Sequence, residues 1–485
     1  MRASSKSRWI FALAIAAGLL AIGAWCVLYE RLWREHPQPQ WILAKDGEAF
    51  GARQFKYLSL GSEQNAGIPY WVFYVLPIMF PEKLPSIGGY GSFDFPWEQG
   101  VELPIGMIKR VIGYPRVGIN CALCHTARYR LAVDTKPEFV PAGPGNTVRA
   151  EALSRFLHES AKDPRFNADN ILGEMANFTK LGWIDKLLYR FWIIPQARAR
   201  LIEGGPGVLW NYRDNPVWGR GSDGPTYWSR YLPDGPRADG HFGSSQIPAV
   251  WNLAKYQALN GRGEPQRLMV TGEGRDVASV VTDSIAGLLG PRPHDAAALD
   301  GDARQLTEYL MRTPAPVFPR GPNDPIVPEK ISAGEAVFQR ACAACHGKDS
   351  AMLGRVMPLA QVQTDPVYAL ERSKGGAADR AIGYVVPHLD GIWLRAPYLH
   401  NGSVPTIRDL LGPARQRPAH FYRGCDVLAS KDLGFVSRDQ DGVVVERCGT
   451  PFNTTEKGNG NQGHEYGIEL STDEKDSLIE FMKTL

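Results

Sequence analysis

"GINCALCHTARYR" occupies residues 118–130 and "RACAACHGKDS" residues 340–350. Each stretch holds two cysteines three positions apart, followed at once by a histidine. The chain has only 7 cysteines, so four of them are spent on this one pattern. Cys-x-x-Cys-His is the attachment signature of a c-type haem. Two thiols one helical turn apart can add to the two vinyl groups of one porphyrin. The adjacent imidazole is then held beneath the ring, where a nitrogen ligates iron. Cys121, Cys124 and His125 would carry one haem and Cys342, Cys345 and His346 a second, giving two covalently bound haem c groups.

The competing readings are a zinc knuckle and a redox disulfide. A four-cysteine zinc ribbon brings its pairs within about 20 residues of each other, whereas these two pairs stand in opposite halves of the chain. A thioredoxin-like motif needs no histidine after its second cysteine, and needs it twice even less.

At 485 residues the chain can hold two or three domains with proper cores. Its 51 glycines and 37 prolines exceed ordinary usage and point to long irregular connections around the porphyrins. The net charge is only +3 and no basic run stands out, so nothing indicates nucleic acid.

The N-terminus reads "MRASSKSRWIFALAIAAGLLAIGAWCVLYERLWRE". Arg2, Lys6 and Arg8 precede an uncharged run from Trp9 to Leu28 that would reach roughly 30 Å as a helix, one bilayer core. Trp9, Trp25, Tyr29 and Trp33 flank it as interfacial aromatics do. An uncleaved single-pass anchor is the preferred expectation, with a cleaved signal peptide ending near "AIG" (21–23) as the alternative. Either way the positive-inside rule puts the residues after 35 outside the cytoplasm, in the periplasm of a bacterial inner membrane. Cys425 and Cys448 remain once the haem cysteines and Cys26 are set aside. In that compartment they can pair, closing a loop worth about 3 kcal/mol on the chain-entropy argument. Two free thiols are the other reading.

The expected organisation is a membrane anchor or signal peptide (1–35), a connecting arm (36–60), an N-terminal haem domain (61–312), a Pro-rich linker (313–328) and a C-terminal cytochrome c domain (329–485). Helices are expected over 146–157 and 179–194, over "EKISAGEAVFQRACAACHG" leading into the second Cys-x-x-Cys-His, and over "STDEKDSLIEFMKTL", where Ser471 and Glu474 form a capping box. In 179–194, Leu181, Ile184, Leu188 and Phe191 recur at helical spacing. A buried core helix is the plainer account there, although Lys180, Lys186 and Arg190 beside Trp183 and Trp192 would suit a membrane surface.

A six-coordinate haem needs a second axial ligand. For the second haem the residues on offer are His388, His400, His420, His464, Met352, Met357 and Met482, the last explained by its helix stripe. His400 ends the apolar stretch "LDGIWLRAPYLHNGSVPTIRDLL", before an Asn-Gly-Ser turn that can aim it inward. A surface or hydrogen-bonded histidine is the alternative at that position.

The stretch 388–411 resembles the bacterial di-haem cytochrome c peroxidase superfamily, especially its rubber-oxygenase-like branch. "PYLHNGSVPTI" carries the resemblance most specifically. "FYRGCDVLASKDLGFVS", "GNGNQGHEYGIELSTDEKDSLIEFMKTL", "VGINCALCHT", "PAGPGN" and "IPAVWNLAKY" are similar too. The resemblance implies a mainly α fold with two cytochrome-c-like modules, and it implies His400 as the distal ligand of the second haem. It also makes the first haem the usual site of oxidant chemistry.

"IPAVWNLAKYQALNGRG" (247–263) looks like a faint counterpart of "VPHLDGIWLRAPYLHNGS" (386–403). Where relatives often read His-Trp-Asp-Gly, this chain reads Leu259-Asn260-Gly261. His158, His241 and Met107 remain as ligands for the first iron, and Asn260 as a hydrogen-bond donor to bound oxygen or as a turn residue. No peroxidase acid residue is matched.

Two functions follow. One is an oxidoreductase fed by a redox partner protein or a quinol-linked donor, passing electrons from the C-terminal to the N-terminal haem, where peroxide or dioxygen reacts. The other is a pure electron-transfer cytochrome with both irons ligand-saturated. The anchor and the short chain argue for a cell-bound role.

Overall fold

A computed structural model describes residues 5–39, 42, 51–204, 219–223, 243–289, 296–321, 324, 326–373, 381–440 and 442–485. The uncharged N-terminal run lies in a single helix, α1 (Ser5–Leu32). The stretch Trp9–Leu32 within it is long and apolar enough to cross a bilayer, and its side chains from Trp9 to Tyr29 are exposed. The base of α1 is fastened to the rest of the protein. Leu32 is buried, and its carbonyl accepts from Arg116 Nη2 at 2.7 Å. Gly113 donates to the Arg34 carbonyl. A Cβ on Gly113 would lie 2.4 Å from Leu32 Cα, so only glycine allows the approach. Arg110 pairs with Glu35, and Arg31 grips both carboxylate oxygens of Asp185 at 2.7 Å.

Helix α2 (Tyr70–Met79) leads away from strand β1 (Ile68–Pro69), which pairs with β3 (Tyr114–Ile119). Strand β2 (Met107–Ile112) completes a three-stranded antiparallel sheet in the order β1-β3-β2. β3 runs straight into the first Cys-x-x-Cys-His, so a sheet presents that motif.

The helix expected over 146–157 forms as α3 (Ala150–Lys162), with Leu153, Phe156 and Leu157 buried. The helix expected over 179–194 is divided. α4 (Trp183–Leu188) gives way to a π-helical stretch, Tyr189–Ile193, and then to α5 (Ile194–Glu203). The buried face is Tyr189, Ile193, Ile194, Ala197 and Leu201. Phe191, expected in the core, is 71% exposed and Trp183 73%. The wider π turn rotates the apolar face between α4 and α5, so a stripe counted at uniform helical spacing misses it.

Helices α6 (Val277–Leu289) and α7 (Ala296–Arg312) pack on each other and close over Phe55, which stacks on Tyr309. The Pro-rich stretch that follows is extended but fastened. Phe318 is buried, and the Pro316 carbonyl accepts from Trp393 Nε1 at 2.9 Å.

α8 (Pro328–Ala341) crosses α10 (Thr472–Met482), the pair that frames the second motif, with α9 (Ala343–His346) carrying its histidine. The crossing is close because Gly334 faces Ser477; a Cβ there would meet the Ser477 carbonyl oxygen at 1.9 Å. Phe338 and Phe481 pack beside it, tilted, with ring centres 5.3 Å apart. The capping box forms as read: Ser471 Oγ accepts from the Glu474 amide, and the Glu474 carboxylate accepts from the Ser471 amide. One apolar core gathers Phe55, Ala122 and Trp251 from the first half with Val337, Trp393 and Leu478 from the second. A side chain such as Phe55, Val337 or Leu478, fully buried, contributes about 1.5–3 kcal/mol. Cys425 and Cys448 form a disulfide.

Candidate functional site

At the end of β3, Asn120 is 3% exposed and organises the first motif. Its Nδ2 donates to the carbonyls of Phe55 and Leu58 at 3.0 Å, and its Oδ1 accepts from the Ala122 amide at 2.9 Å. Gly106 presses against the motif from β2's side. Its φ is +83°, and a Cβ there would lie 2.0 Å from the Leu123 nitrogen. The His125 amide returns to the Cys121 carbonyl at 2.9 Å, so the two thiols sit on one turn. Cys121 packs against the shared core and Cys124 against a second cluster built around Phe93, Met107 and Phe156. Burial pushes the Cys121 thiol up to about 11.

His125 Nδ1 lies 2.8 Å from the Pro248 carbonyl. A carbonyl only accepts, so Nδ1 carries the proton and Nε2 is left bare for a metal. Burial holds the imidazole below its ordinary pKa, in the neutral form that ligates.

The second motif repeats this chemistry on a helical frame. The His346 amide bonds the Cys342 carbonyl at 2.9 Å, and His346 Nδ1 donates to the Pro387 carbonyl at 3.0 Å. Burial lowers its pKa too, and pushes the Cys342 thiol up to about 11.

The ring of His464 faces His346 with centroids 6.3 Å apart. Imidazoles on opposite sides of one metal, with bonds of about 2 Å, place their ring centres roughly 6 Å apart. The loop that holds His464 is built for the purpose. Its amide donates to the Val362 carbonyl at 2.9 Å, and Arg417 grips the carbonyls of Asn461 and Gly463 with Nη1. At Gly463, φ is +76° and a Cβ would lie 2.3 Å from the Gln363 carbonyl carbon, so the chain passes only as glycine. Burial, with His346 close by, brings the His464 pKa down to about 4. The residues therefore fit a haem iron held between two neutral imidazoles. Among the described residues no three of His, Cys, Asp or Glu converge as a metal site of their own.

His400 is placed elsewhere. Its ring stacks on Tyr384 at 3.8 Å, its pKa is lowered to about 3 by burial, and its Nε2 is enclosed without a hydrogen-bond partner. Its carbonyl accepts from the Gln246 amide, two residues before Pro248.

The faint internal counterpart explains this. Pro248 and Pro387 receive the two ligand histidines. Asn252 and Gly391, both at positive φ, each open a short 3-10 helix. The Leu259–Pro265 and Tyr398–Val404 bridges close the two turns. All of these pairs are separated by the same number of residues, and that register sets His400 against Gly261. Gly261 is pressed onto the loop behind His346, where a Cβ would lie 2.1 Å from the Asp349 carbonyl oxygen. The turn of one repeat reaches the second motif's loop, and that of the other reaches the segment that receives His125.

Asn260 acts as a turn residue. Its Oδ1 accepts from the Arg262 and Glu264 amides, and its Nδ2 donates to the Ala351 carbonyl. His388 bonds Gln266 at 2.8 Å, His158 Nδ1 bonds the Leu201 carbonyl at 2.8 Å, and Met107 is a core residue of the sheet. Met482 is buried in the α10 stripe and His420 is exposed on a strand. His241 lies outside the described residues. Among those residues, no histidine ring contacts His125. His464 stood among the sequence candidates. The signal pointing to it is the glycine-rich "GNGNQGH", which permits the tight passage that presents the ring.

Residues 383–422 match the family of RoxA-like, cytochrome c-like domains. Two Sinorhizobium fredii proteins, named y4iJ and y4iM and both described as uncharacterized, are similar to this chain. The first is 38% identical over 137 residues, covering 25% of this chain and 22% of that protein. The second is 26% identical over 284 residues, covering 50% of this chain and 64% of that protein. The chain thus spans less than two thirds of the length of these relatives. It carries a RoxA-like, cytochrome c-like domain, the kind that binds haem c covalently.

Proposed function

We propose that the protein is a membrane-anchored, periplasmic di-haem oxidoreductase of the rubber-oxygenase-like branch. In this reading the His346 centre takes up electrons and the His125 centre meets a small oxidant, peroxide or dioxygen. One observation carries the asymmetry: His464 stands 6.3 Å from His346, ring centre to ring centre, while no described histidine ring contacts His125. Haem c supplies one-electron transfer when bound, and oxidant chemistry where its iron keeps an open position.

The chain's own residues do the rest. Cys121, Cys124, Cys342 and Cys345 anchor the two groups, and the Pro248 and Pro387 carbonyls fix the tautomers of His125 and His346. His464, rather than His400, closes the second iron. The fastening of α1 through Leu32, Gly113 and Arg116 supports an anchor that is retained, because a cleaved leader needs no such seat. A quinol-linked donor or a redox partner protein is the electron source that suits this placement.

The test is the oxidised spectrum of the purified full chain. One low-spin bis-histidine haem and one high-spin haem are expected, with cyanide or carbon monoxide binding at one centre only. Two low-spin centres inert to cyanide would hand the assignment to a pure electron-transfer cytochrome.

A further inference from the structure

We infer that the π-interrupted helix over 183–193 is a second membrane contact, lying in the interfacial layer of the same bilayer that holds α1. The inference rests on the anchor reading given above.

Trp183, Leu187 and Phe191, spaced four apart, are 73%, 47% and 71% exposed, and Trp192 beside them is 50% exposed. A soluble surface rarely lines up large apolar side chains in this way. Phe178 and Tyr74, both exposed and in edge contact at 5.1 Å, extend the patch onto α2. Lys180 and Lys186 are exposed at its border. Bulky aromatics with lysines beside them are the composition of helices that lie in a headgroup layer.

Its position identifies the occupant. Asp185, on the first turn of α4, is held by Arg31 from the last turn of α1. One turn further, Tyr189 packs edge-on against Tyr114, which follows the glycine pressed on Leu32. The stripe is therefore fixed at the level where α1 would leave the hydrocarbon, continuous with the membrane contact already assigned. The π turn directs Tyr189 and Ile193 to the core and leaves Phe191 and Trp192 outward. Two contacts on one bilayer would hold the haem domains in one orientation, where a lone helix would let them swivel.

The test uses the full haem-loaded chain in lipid bilayers, with Cys26→Ser to remove the free thiol. Nitroxide labels are placed one at a time through Trp183→Cys, Phe191→Cys, Leu19→Cys within α1, and Glu469→Cys on an exposed loop. Collision with oxygen should exceed collision with a water-soluble nickel complex severalfold at Trp183, Phe191 and Leu19, and the order should reverse at Glu469. If Leu19 is in lipid while Trp183 and Phe191 are open to nickel, the second contact is refuted and the anchor stands. A chain that has lost Leu19, or holds it in water, refutes the anchor itself. Labels at Trp183 and Phe191 shielded from both reagents would mean that protein covers the patch, which also overturns the inference. An unchanged Soret spectrum and haem mass certify each variant's fold.

Discussion

The two Cys-x-x-Cys-His motifs reach one ligand geometry from opposite directions. At the first, a β-strand delivers the chain, Asn120 ties the turn to Phe55 and Leu58, and Gly106, just before β2, presses on it. At the second, a helix delivers the chain and Gly334 lets that helix cross α10. Both end with Nδ1 of the ligand histidine on a proline carbonyl. What distinguishes them is the opposite face, where a glycine-rich loop brings His464 to His346 and no described ring answers His125. The proximal side is thus set by the motif and one repeated proline, whatever scaffold supports it. The distal side of the second motif is set by long-range packing, which brings His464 to His346.

The largest effect should come from deleting one motif at a time. Cys121→Ala with Cys124→Ala should remove one haem mass, and Cys342→Ala with Cys345→Ala the other, read by intact mass under denaturing conditions. Equal loss of both from either pair would show that the modules do not mature separately.

His464→Ala should convert the whole low-spin signal of the second centre to high spin, while His400→Ala leaves the axial ligation intact, as read by electron paramagnetic resonance. The reverse pattern would restore His400 as the ligand. His464→Met should keep the centre low-spin and raise its reduction potential.

The glycine contacts come next. Gly334→Val and Gly106→Ala should each destabilise by about 3 kcal/mol, since backbone must move in both cases, measured by denaturant unfolding. Gly106→Ala should lower haem occupancy at the first centre alone, and Gly334→Val at the second.

The smallest effect per pH unit is the titration response of His400. Its pKa is lowered to about 3 by burial, from an ordinary 6.5. The unfolded chain therefore takes up a proton that the folded chain refuses. Stability is full above pH 6.5 and falls as the pH drops toward 3, by at most about 1.4 kcal/mol per unit. His400→Gln should flatten that slope; an unchanged slope would mean the ring is not enclosed.

Local signals were legible in sequence and distant ones were not. The Cys-x-x-Cys-His turns, the Ser471–Glu474 box and the helix into Cys342 depend on neighbours within a turn or two. The Cys425–Cys448 disulfide also emerged, because few thiols were left to pair. The 179–194 stripe misled, since a π turn breaks the periodicity on which the reading depends. His400 was favoured because "PYLHNGSVPTI" resembles a family segment that supplies a distal histidine, yet the fold brings that segment to Gln246. Only the passage of Gly463 beside Gln363, between residues far apart in the chain, shows that His464 is the ring beside His346.

The proline latches have a consequence for energetics. A hydrogen bond from Nδ1 to a carbonyl makes an imidazole a stronger electron donor to its metal. Here the two bonds are nearly alike, 2.8 Å to Pro248 and 3.0 Å to Pro387. In the proposed di-haem reading the proximal push on the two irons is therefore similar, and it contributes little to their difference in midpoint potential. In that reading a downhill gradient between the centres originates mainly in what each iron meets on its far side. A substitution there retunes the direction of flow, whereas exchanging the latches would shift both potentials together.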